Sequence, residues 1–299
     1  MKTPLQEKVI RVLARLTRKW HPRGTERFLR LLHHPDRRKS DSINLILDYN
    51  HNLKIRIDTS DFLEWLIFFF GCHEPELTNQ INELFRPGFV AFDIGANSGS
   101  HTLVMSSRAG ENGLILAVEP NPGARRRLKE NIELNRLTNV RILSCALSNE
   151  PGHAVLFVPE ERTSNRGVAS LHSSNVNYPA EQIEIVLKTL DQTVAENCLN
   201  RLDFIKIDAE GNEMKILRGG RKTIRRFRPR IVFEYDQRSW SNAGAHFARA
   251  AAFFQESGYR LFRFDKKTPL PVEPDSLVHG NILAIPTPSP PNLDCLSHR

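Results

Sequence analysis

A turn with two glycines follows a short apolar run and one acidic residue, and these residue types at this spacing suit ligand binding. The run covers residues 89–92 and is followed by Asp93 and by the turn at residues 95–99. The apolar run predicts a buried strand, and the glycines predict a tight turn whose backbone comes close to a ligand. Asn97 stands where a dinucleotide-binding turn carries its second glycine. An acidic residue before the turn suits a ligand that carries a positive charge.

Three ionisable residues, Lys206, Asp208 and Glu210, alternate with other residues at the end of another apolar run. Strand side chains alternate between the two faces of a sheet, so Lys206 and Asp208 share a face, and Glu210 joins them if the strand persists. Ligands of open α/β sheets bind beyond the carboxyl ends of the strands. We therefore expect the carboxylates at the mouth of a pocket, the alternative being a structural cluster of lysine and carboxylates. Glu234, which ends the next apolar run, is a further candidate.

Glu119 ends a third apolar run, 26 residues after Asp93. An acidic residue at the end of the second strand can accept hydrogen bonds from both hydroxyls of a ribose. The alternative is a strand-end side chain that faces solvent. The glycine turn at the expected distance favours the ribose interpretation.

The elements that must position these residues alternate between strands and helices from residue 89 onward. This alternation predicts a doubly wound α/β fold with a mostly parallel, seven-stranded sheet, helices on both faces and an N-terminal extension of helices and a hairpin. The last two strands have no helix between them and are expected to pair antiparallel. The predicted strands are 89–93, 114–119, 140–145, 203–208, 230–235, 259–264 and 281–285, and the predicted helices are 99–109, 122–135, 211–227 and 243–257.

The alternation breaks between residues 146 and 202. Extra strands are predicted near residues 154–158 and 183–187. The stretch at 160–179 is rich in Ser and Asn. A loop of this length inside a domain is commonly functional, so we expect it to cover the substrate.

The basic charge of the chain is concentrated at its N-terminus. Residues 1–40 contain 12 Lys and Arg but 3 Asp and Glu, a local balance of +9 against +8 for all 299 residues. Residues 6–20 are amphipathic. The basic side chains of this stretch are either solvated or in contact with an anionic membrane or a nucleic acid.

Four parts are expected in the chain: a basic helical extension at 1–40, a hairpin and helix lead-in at 41–88, a catalytic domain at 89–285 and an unstructured tail at 286–299. No run approaches the ~18 apolar residues of a membrane helix. The 4 cysteines are widely spaced, which favours neither a zinc site nor a disulfide framework. The N-terminus has charges where a signal peptide is apolar, so a cytoplasmic location is expected.

The strings FDIGANSGSHT, AVEPNPGARRRLKENIELN, TLDQTV, DFIKIDAEGNEMKILRGG and RPRIVFEY together resemble the FkbM-type methyltransferases. These are class I enzymes that depend on S-adenosyl-L-methionine (SAM). The resemblance covers about residues 53–285, and the run Lys-Ile-Asp-Ala-Glu-Gly is its most discriminating part. His101 departs from the family, which often has Tyr there.

The resemblance implies a role for each motif. Glu119 would hold the ribose, residues near Asn121 and Ala146 would meet the adenine, and Asp208 and Glu210 would lie at the reaction centre. The methionine side of SAM would be lined by Asp93, Gly95, Ala96, Asn97 and Gly99.

The implied reaction is O-methylation of a hydroxyl on a sugar, polyketide or similar small metabolite. Asp208 or Glu210 would act as the general base, with Lys206 orienting it. No metal is expected, although the carboxylate pair could instead hold a divalent cation. Asn97 argues against a nicotinamide dehydrogenase. A nucleic-acid methyltransferase that uses the basic arm is not expected, because the body shows no aromatic platform for bases. A non-catalytic binding module would lack the pocket acids.

Overall fold

The computed structural model describes residues 4–20, 22–35, 42–160, 163, 167–263, 270–272 and 279–288. The predicted tail lies outside the described residues from position 289 onward, as do parts of the basic extension. None of the helices in the described part of the chain combines the length and the apolar character that crossing a bilayer requires.

The N-terminal third is a layer of helices and a hairpin that packs on the main sheet. The hairpin strands pair antiparallel, and the second one buries Leu53, Ile55 and Ile57 at alternate positions. The third helix begins where the Asp61 side chain accepts a hydrogen bond from the Glu64 N–H, and it buries Trp65. The elements are α1 Pro4–Thr17, α2 Thr25–Leu32, β1 Asn44–Tyr49, β2 Leu53–Asp58, α3 Phe62–Phe70 and α4 Pro75–Leu84.

From β3 onward, strands and helices alternate as the sequence predicts. The first half contains β3 Val90–Ile94, α5 Ser100–Ala109, β4 Leu114–Val118, α6 Pro122–Leu134, β5 Val140–Leu143, β6 Ala146–Leu147, β7 Gly152–Pro159, β8 Ala180–Lys188 and α7 Leu190–Glu196. The second half contains β9 Phe204–Ile207, α8 Glu213–Gly219, α9 Arg221–Phe227, β10 Arg230–Asp236, α10 Gln237–Asn242, α11 Phe247–Glu256, β11 Tyr259–Arg263, β12 Leu270–Pro271 and β13 His279–Pro286.

The main sheet confirms the predicted doubly wound fold. Its order in the described part of the chain is β12-β11-β13-β10-β9-β3-β4-β5. Strands β10, β9, β3, β4 and β5 are parallel, and β13 runs antiparallel between β10 and β11. The seven predicted strands are all present. The eighth, β12, has two residues, too few for a periodic pattern, and the sequence analysis missed it.

The parallel strands are buried on both faces, so the core has two layers. Ala91, Ile115 and Phe204 belong to one cluster of buried side chains, which includes the N-terminal layer. Their strand neighbours Phe92 and Leu116 belong to the other cluster, together with Ile205. This burial explains why the strands read as continuous apolar runs.

Two helix predictions were wrong in their extent. The predicted helix at 211–227 is two helices, because the backbone at Gly220 leaves the helical region and packs closely on Leu190. The predicted helix at 243–257 is the shorter α11, and a separate helix, α10, precedes it. Asp236 begins α10 by accepting a hydrogen bond from the Ser239 N–H.

The break in the alternation forms a second, small sheet with the order β6-β8-β7. Strands β7 and β8 pair antiparallel over their whole length and include both predicted extra strands. In the described part of their connection, Ser170 folds back onto β7 of this small sheet through a bridge with Phe157.

Candidate active site

A cavity of about 440 Å³ opens at the carboxyl ends of β3, β4, β9 and β10. We call residues 95–97, Glu119, Asn121 and Ala146 its turn side, and Lys206, Asp208, Glu210 and Glu234 its acid side. All of these residues line the cavity. The structure therefore brings together nine of the eleven residues predicted to bind SAM or to take part in catalysis, and also the further candidate Glu234. The other two, Asp93 and Gly99, are not part of the cavity wall.

The turn after β3 is held against both neighbouring strands. The N–H groups of Gly95 and Ala96 donate to the carbonyl of Val118 at 3.0 and 3.1 Å. Gly95 has a φ of 79°, and a Cβ there would collide with the backbone carbonyl of Asp208. Asn97 has a φ of 49°, a left-handed conformation that asparagine adopts more readily than most residues. This geometry lets the turn pass close to the end of β9.

Glu119 is clamped at the end of β4 by the backbone. Its Oε2 accepts a hydrogen bond from the Asn97 N–H and its Oε1 one from the Asn121 N–H, both at 2.8 Å. Each carboxylate oxygen keeps a further lone pair, so the group still has acceptor capacity on the cavity. Burial raises the pKa of Glu119 to about 7, although the two N–H groups oppose that shift.

Asn121 has a structural role as well as a place in the wall. Its side-chain oxygen accepts a hydrogen bond from the Gly123 N–H and so begins helix α6. Ala146 lines the same side of the cavity from β6.

Asp93 lies behind the wall, whereas the sequence analysis predicts it inside the cavity. Its Oδ2 accepts a hydrogen bond from Thr102 Oγ1 at 2.6 Å, and its Oδ1 lies 3.5 Å from Lys206 Nζ. The two residues are directly opposite in the register of β3 and β9, so their side chains share a face of the sheet. The carboxylate is thus committed to an internal ion pair.

Lys206 contacts both the buried Asp93 and Asp208 at the cavity wall. Its side chain is 4% exposed, and its Nζ lies 3.2 Å from Asp208 Oδ2. Burial opposes its charge, but the carboxylates of Asp208 and Asp93 outweigh burial and raise the pKa of Lys206. The lysine is therefore a fixed positive charge beneath the acid side.

Glu210 reaches the cavity by a turn and not by the extended strand that the alternation predicts. Strand β9 ends at Ile207, and Glu210 has a φ of 50°. Glu213, which the sequence analysis missed, holds this turn because its Oε1 accepts from the N–H groups of Ala209 and Gly211 at 2.8 and 3.3 Å. The available signal in the sequence was a further acidic residue, three positions after Glu210.

Negative charge is crowded on the acid side. Burial, reinforced by the charge of Asp208, raises the pKa of Glu210 to about 8. The same causes raise the pKa of Glu234 well above its usual range. His279 Nε2 lies 3.9 Å from Glu234 Oε1. Protons or a cation are therefore favoured here.

Three further ionisable residues line the cavity: His73, Glu74 and His101. The Nε2 atoms of the two histidines lie 3.2 and 3.5 Å from the same Glu74 oxygen, Oε2. Burial lowers the pKa of His101 well below its usual range. Burial opposes the ionisation of Glu74, but hydrogen bonding to His73 and the charge of His101 lower its pKa. The sequence analysis noted His101 only as a departure from the family.

Part of the predicted substrate cover borders the cavity. Gly167, Val168, Ala169 and Leu171 belong to the wall. Residues 161, 162 and 164–166 of the predicted cover lie outside the described residues.

Comparisons with known proteins identify a family. The family described as the methyltransferase FkbM domain matches residues 93–261. The chain is 27% identical over 158 residues to the 31-O-demethyl-FK506 methyltransferase FkbM of Streptomyces tacrolimicus, covering 45% of this chain and 60% of that protein. It is 27% identical over 132 residues to the hexuronic acid methyltransferase AglP of Haloferax volcanii, covering 44% of this chain and 49% of that protein. The chain thus spans about half of the length of these relatives.

A crystal structure of the methyltransferase FkbM from Methylobacillus flagellatus KT is also similar. Its TM-score is 0.42 at 14% identity, covering 74% of this chain and 53% of that one.

Proposed function

This chain belongs to the FkbM methyltransferase domain family, and we propose that it transfers a methyl group from SAM to a hydroxyl of a sugar, glycan or other small metabolite. The observation that carries the proposal is the single cavity that Glu119 and Glu210 both line. The acceptor class is motivated by the names of the two relatives, a 31-O-demethyl-FK506 methyltransferase and a hexuronic acid methyltransferase.

Two features of the turn side support SAM binding. Each oxygen of Glu119 accepts one backbone N–H and keeps a lone pair for a ribose hydroxyl. The cavity of about 440 Å³ lies within the usual range of small-molecule sites, roughly 300–1,000 Å³. When bound, SAM supplies an electrophilic methyl group on a sulfonium.

We propose Glu210, on the acid side, as the general base that accepts the proton of the acceptor hydroxyl. Asp208 is the other candidate, but Lys206 Nζ already donates to it at 3.2 Å. No hydrogen bond to the Glu210 carboxylate is present within the described part of the chain, and its pKa of about 8 lies near neutral pH. A base whose pKa is close to the working pH contributes typically ~10²–10⁴-fold to the rate.

The rest of the cavity would orient the acceptor and exclude water. Lys206 and Asp208 form a fixed ion pair at its floor. Apolar side chains, among them Phe62, Leu63 and Leu171, also line the cavity. Holding the hydroxyl in line with the transferable methyl group in a dry site is itself a large part of catalysis in such reactions.

The first test is calorimetry of the purified chain with SAM, followed by transfer of a radiolabelled methyl group. We expect SAM binding that Glu119→Ala weakens at least ~10-fold, because a hydrogen bond to a charged group contributes ~1.5–3 kcal/mol. The matched control is Glu196→Ala, which removes an exposed carboxylate on α7. Label should pass to hexuronic acid glycans or hydroxylated polyketides.

Two outcomes would overturn the proposal. Folded wild-type protein that binds no SAM would be a binding module of another kind. Label that passes to RNA, and to none of the hydroxylated small molecules, would establish a nucleic-acid methyltransferase.

A further inference from the structure

We propose that His73, Glu74 and His101 bind a divalent transition-metal ion such as Zn²⁺ at the wall of the cavity. The three side chains offer ligand atoms that all lie within 4.8 Å of one another. This inference stands apart from the proposed function, because metal binding is measured without SAM or an acceptor.

The distances from the two histidines to Glu74 suit one ion bound by the three groups. Both histidine Nε2 atoms face Glu74 Oε2, at 3.2 and 3.5 Å. A tetrahedral ion with bonds of 2.0–2.2 Å separates neighbouring ligand atoms by about 3.3–3.6 Å. Two histidines and one glutamate with an open fourth position are a known ligand set of catalytic zinc sites. Here the open position would face the cavity.

The surroundings leave the cluster incomplete without a ligand. His101 is 3% exposed, and its Nε2 has no hydrogen-bond partner among the residues that the structure describes. The other oxygen of Glu74, Oε1, accepts a hydrogen bond from Asn281 Nδ2 at 2.5 Å. Such an outer hydrogen bond orients a ligating carboxylate and is typical of metal sites.

The excess of carboxylates around the cluster also favours a cation. Asp208, Glu210 and Glu234 line the same cavity, and Lys206 is a single opposing charge among these residues. An ion at the cluster that binds the acceptor hydroxyl would assist its deprotonation. That last step rests on the proposed function, whereas ion binding does not.

The test is a titration of chelator-treated protein with Zn²⁺ against a chromophoric chelator, and with Co²⁺ followed by its absorption spectrum. Wild type should bind one ion per chain, with a tetrahedral Co²⁺ spectrum. His101→Gln and Glu74→Gln should each weaken binding at least ~100-fold. Asn281→Ala should weaken it about 10-fold, because it removes only the outer hydrogen bond.

Two controls separate this cluster from the other acids and histidines of the cavity. His279→Gln should leave Zn²⁺ affinity within about twofold of wild type. Asp208→Asn, which removes a nearby charge but no ligand, should weaken it by less than ~10-fold, far less than His101→Gln does. Thermal melting without metal checks that each variant folds. If His101→Gln does not fold, weaker Zn²⁺ binding by His73→Gln and Asn281→Ala serves as the test instead. Absence of binding by wild type, or loss of binding in Asp208→Asn with retention in His101→Gln, would overturn the assignment.

A second inference rests on a different surface, at the N-terminal helices. Helices α1 and α2, with the residues that follow α1, expose six large apolar side chains by 50–75%. This N-terminal apolar face consists of Val9, Val12, Leu16, Trp20, Phe28 and Leu31. The opposite side of α1 buries Ile10 and Ala14 in the core, so the exposed face is not needed for packing.

We infer that this face binds the surface of an anionic membrane. Lys8, Arg15, Lys19, Arg23 and Arg27 are exposed on the same two helices or next to them. Apolar side chains flanked by basic ones are the pattern of helices that lie in a membrane interface. A symmetric contact between two copies would bring like charges together, and four of the six apolar side chains are aliphatic and so do not stack on bases.

Co-sedimentation of the full chain with lipid vesicles tests this inference. It should bind vesicles that contain phosphatidylglycerol, and both added salt and pure phosphatidylcholine should weaken that binding. The double variant Leu16→Ser, Leu31→Ser should reduce the binding at least ~10-fold. Val186→Ser, which removes an exposed apolar side chain on β8, is the matched control. Absence of vesicle binding, RNA binding that the double variant abolishes, or a dimer that it dissociates would overturn the inference.

Discussion

The two sides of the cavity are built in opposite ways. On the turn side, backbone N–H groups hold a single carboxylate, Glu119, and the glycine turn supplies the shape. On the acid side, burial and the charge of Asp208 raise the pKa of Glu210, and the carboxylates of Asp208 and Asp93 raise the pKa of Lys206 against the effect of burial. A side held by backbone hydrogen bonds suits a cofactor that is the same in every reaction cycle. A side rich in ionisable groups suits proton transfer.

The two sides are nevertheless joined at two points. The backbone of Gly95 lies against the carbonyl of Asp208, and Asp93 beneath the turn pairs with Lys206 beneath the acids. A substitution at either of these two contacts should therefore alter both sides of the cavity. A substitution elsewhere should alter only one side.

The largest effect on stability is expected at the buried ion pair of Asp93 and Lys206. Lys206→Met leaves the carboxylate of Asp93, 1% exposed, without its counter-charge. Breaking a buried pair in this way typically destabilises a protein by ~3–5 kcal/mol. Urea denaturation should show that loss in the free energy of unfolding.

The matched control for this variant is Lys188→Met, which breaks an ion pair with Glu196 at the surface. Solvent screens an exposed pair, so the control should be nearly neutral. Adding Asp93→Asn to Lys206→Met should recover stability, because it removes the unpaired charge. Equal losses of unfolding free energy in the two lysine variants would show that Asp93 and Lys206 do not form a buried ion pair.

A change on the acid side alone should separate chemistry from binding. Under the proposed function, Glu210→Gln removes the base and should lower kcat by ~10²–10⁴-fold. The affinity for SAM, measured by calorimetry, should stay within about twofold of wild type, because Glu119 is untouched. If Glu210→Gln weakens SAM binding as much as turnover, the two sides are not functionally distinct.

The sequence predicted the fold and most of the cavity because both follow from short-range patterns. Apolar runs identify the strands, and the rule that ligands bind at their carboxyl ends brings Glu119, Lys206 and Asp208 together. The sequence does not give the register of β3 and β9, which pairs Asp93 with Lys206 behind the cavity wall.

Glu210 and the histidine cluster show a different limit. Glu210 lies in a left-handed turn held by Glu213, and alternation along a strand does not predict that turn. His73 and Glu74 precede α4, whereas His101 lies on α5. Their meeting depends on how the N-terminal layer packs on the sheet, and no local pattern encodes it.

A smaller effect is expected where the backbones of the two sides touch. Gly95→Ala meets both a φ of 79° and a collision with the Asp208 carbonyl, whereas Gly88→Ala meets a φ of 83° with open space around it. A left-handed alanine costs about 1 kcal/mol, so Gly88→Ala should lose about that much in thermal denaturation. Gly95→Ala should lose ~1–3 kcal/mol more, the usual range for local backbone strain, and should weaken SAM binding. Equal losses would show that the contact with Asp208 relaxes freely.

The smallest effect expected is a difference in pH dependence between the two sides. Burial raises the pKa of Glu119 to about 7 and that of Glu210 to about 8. An unfolded glutamate ionises near pH 4.3, so each group makes the folded state less stable as pH rises from about 4.3 to its own folded pKa. Ionised Glu119 accepts the ribose hydroxyls more strongly, by ~1 kcal/mol, so SAM affinity should rise about fivefold through pH 7. Turnover should rise through pH 8, where Glu210 becomes a base, and Glu210→Gln should abolish that second rise alone. A single shared midpoint for affinity and turnover in wild type would mean that one coupled group governs both sides.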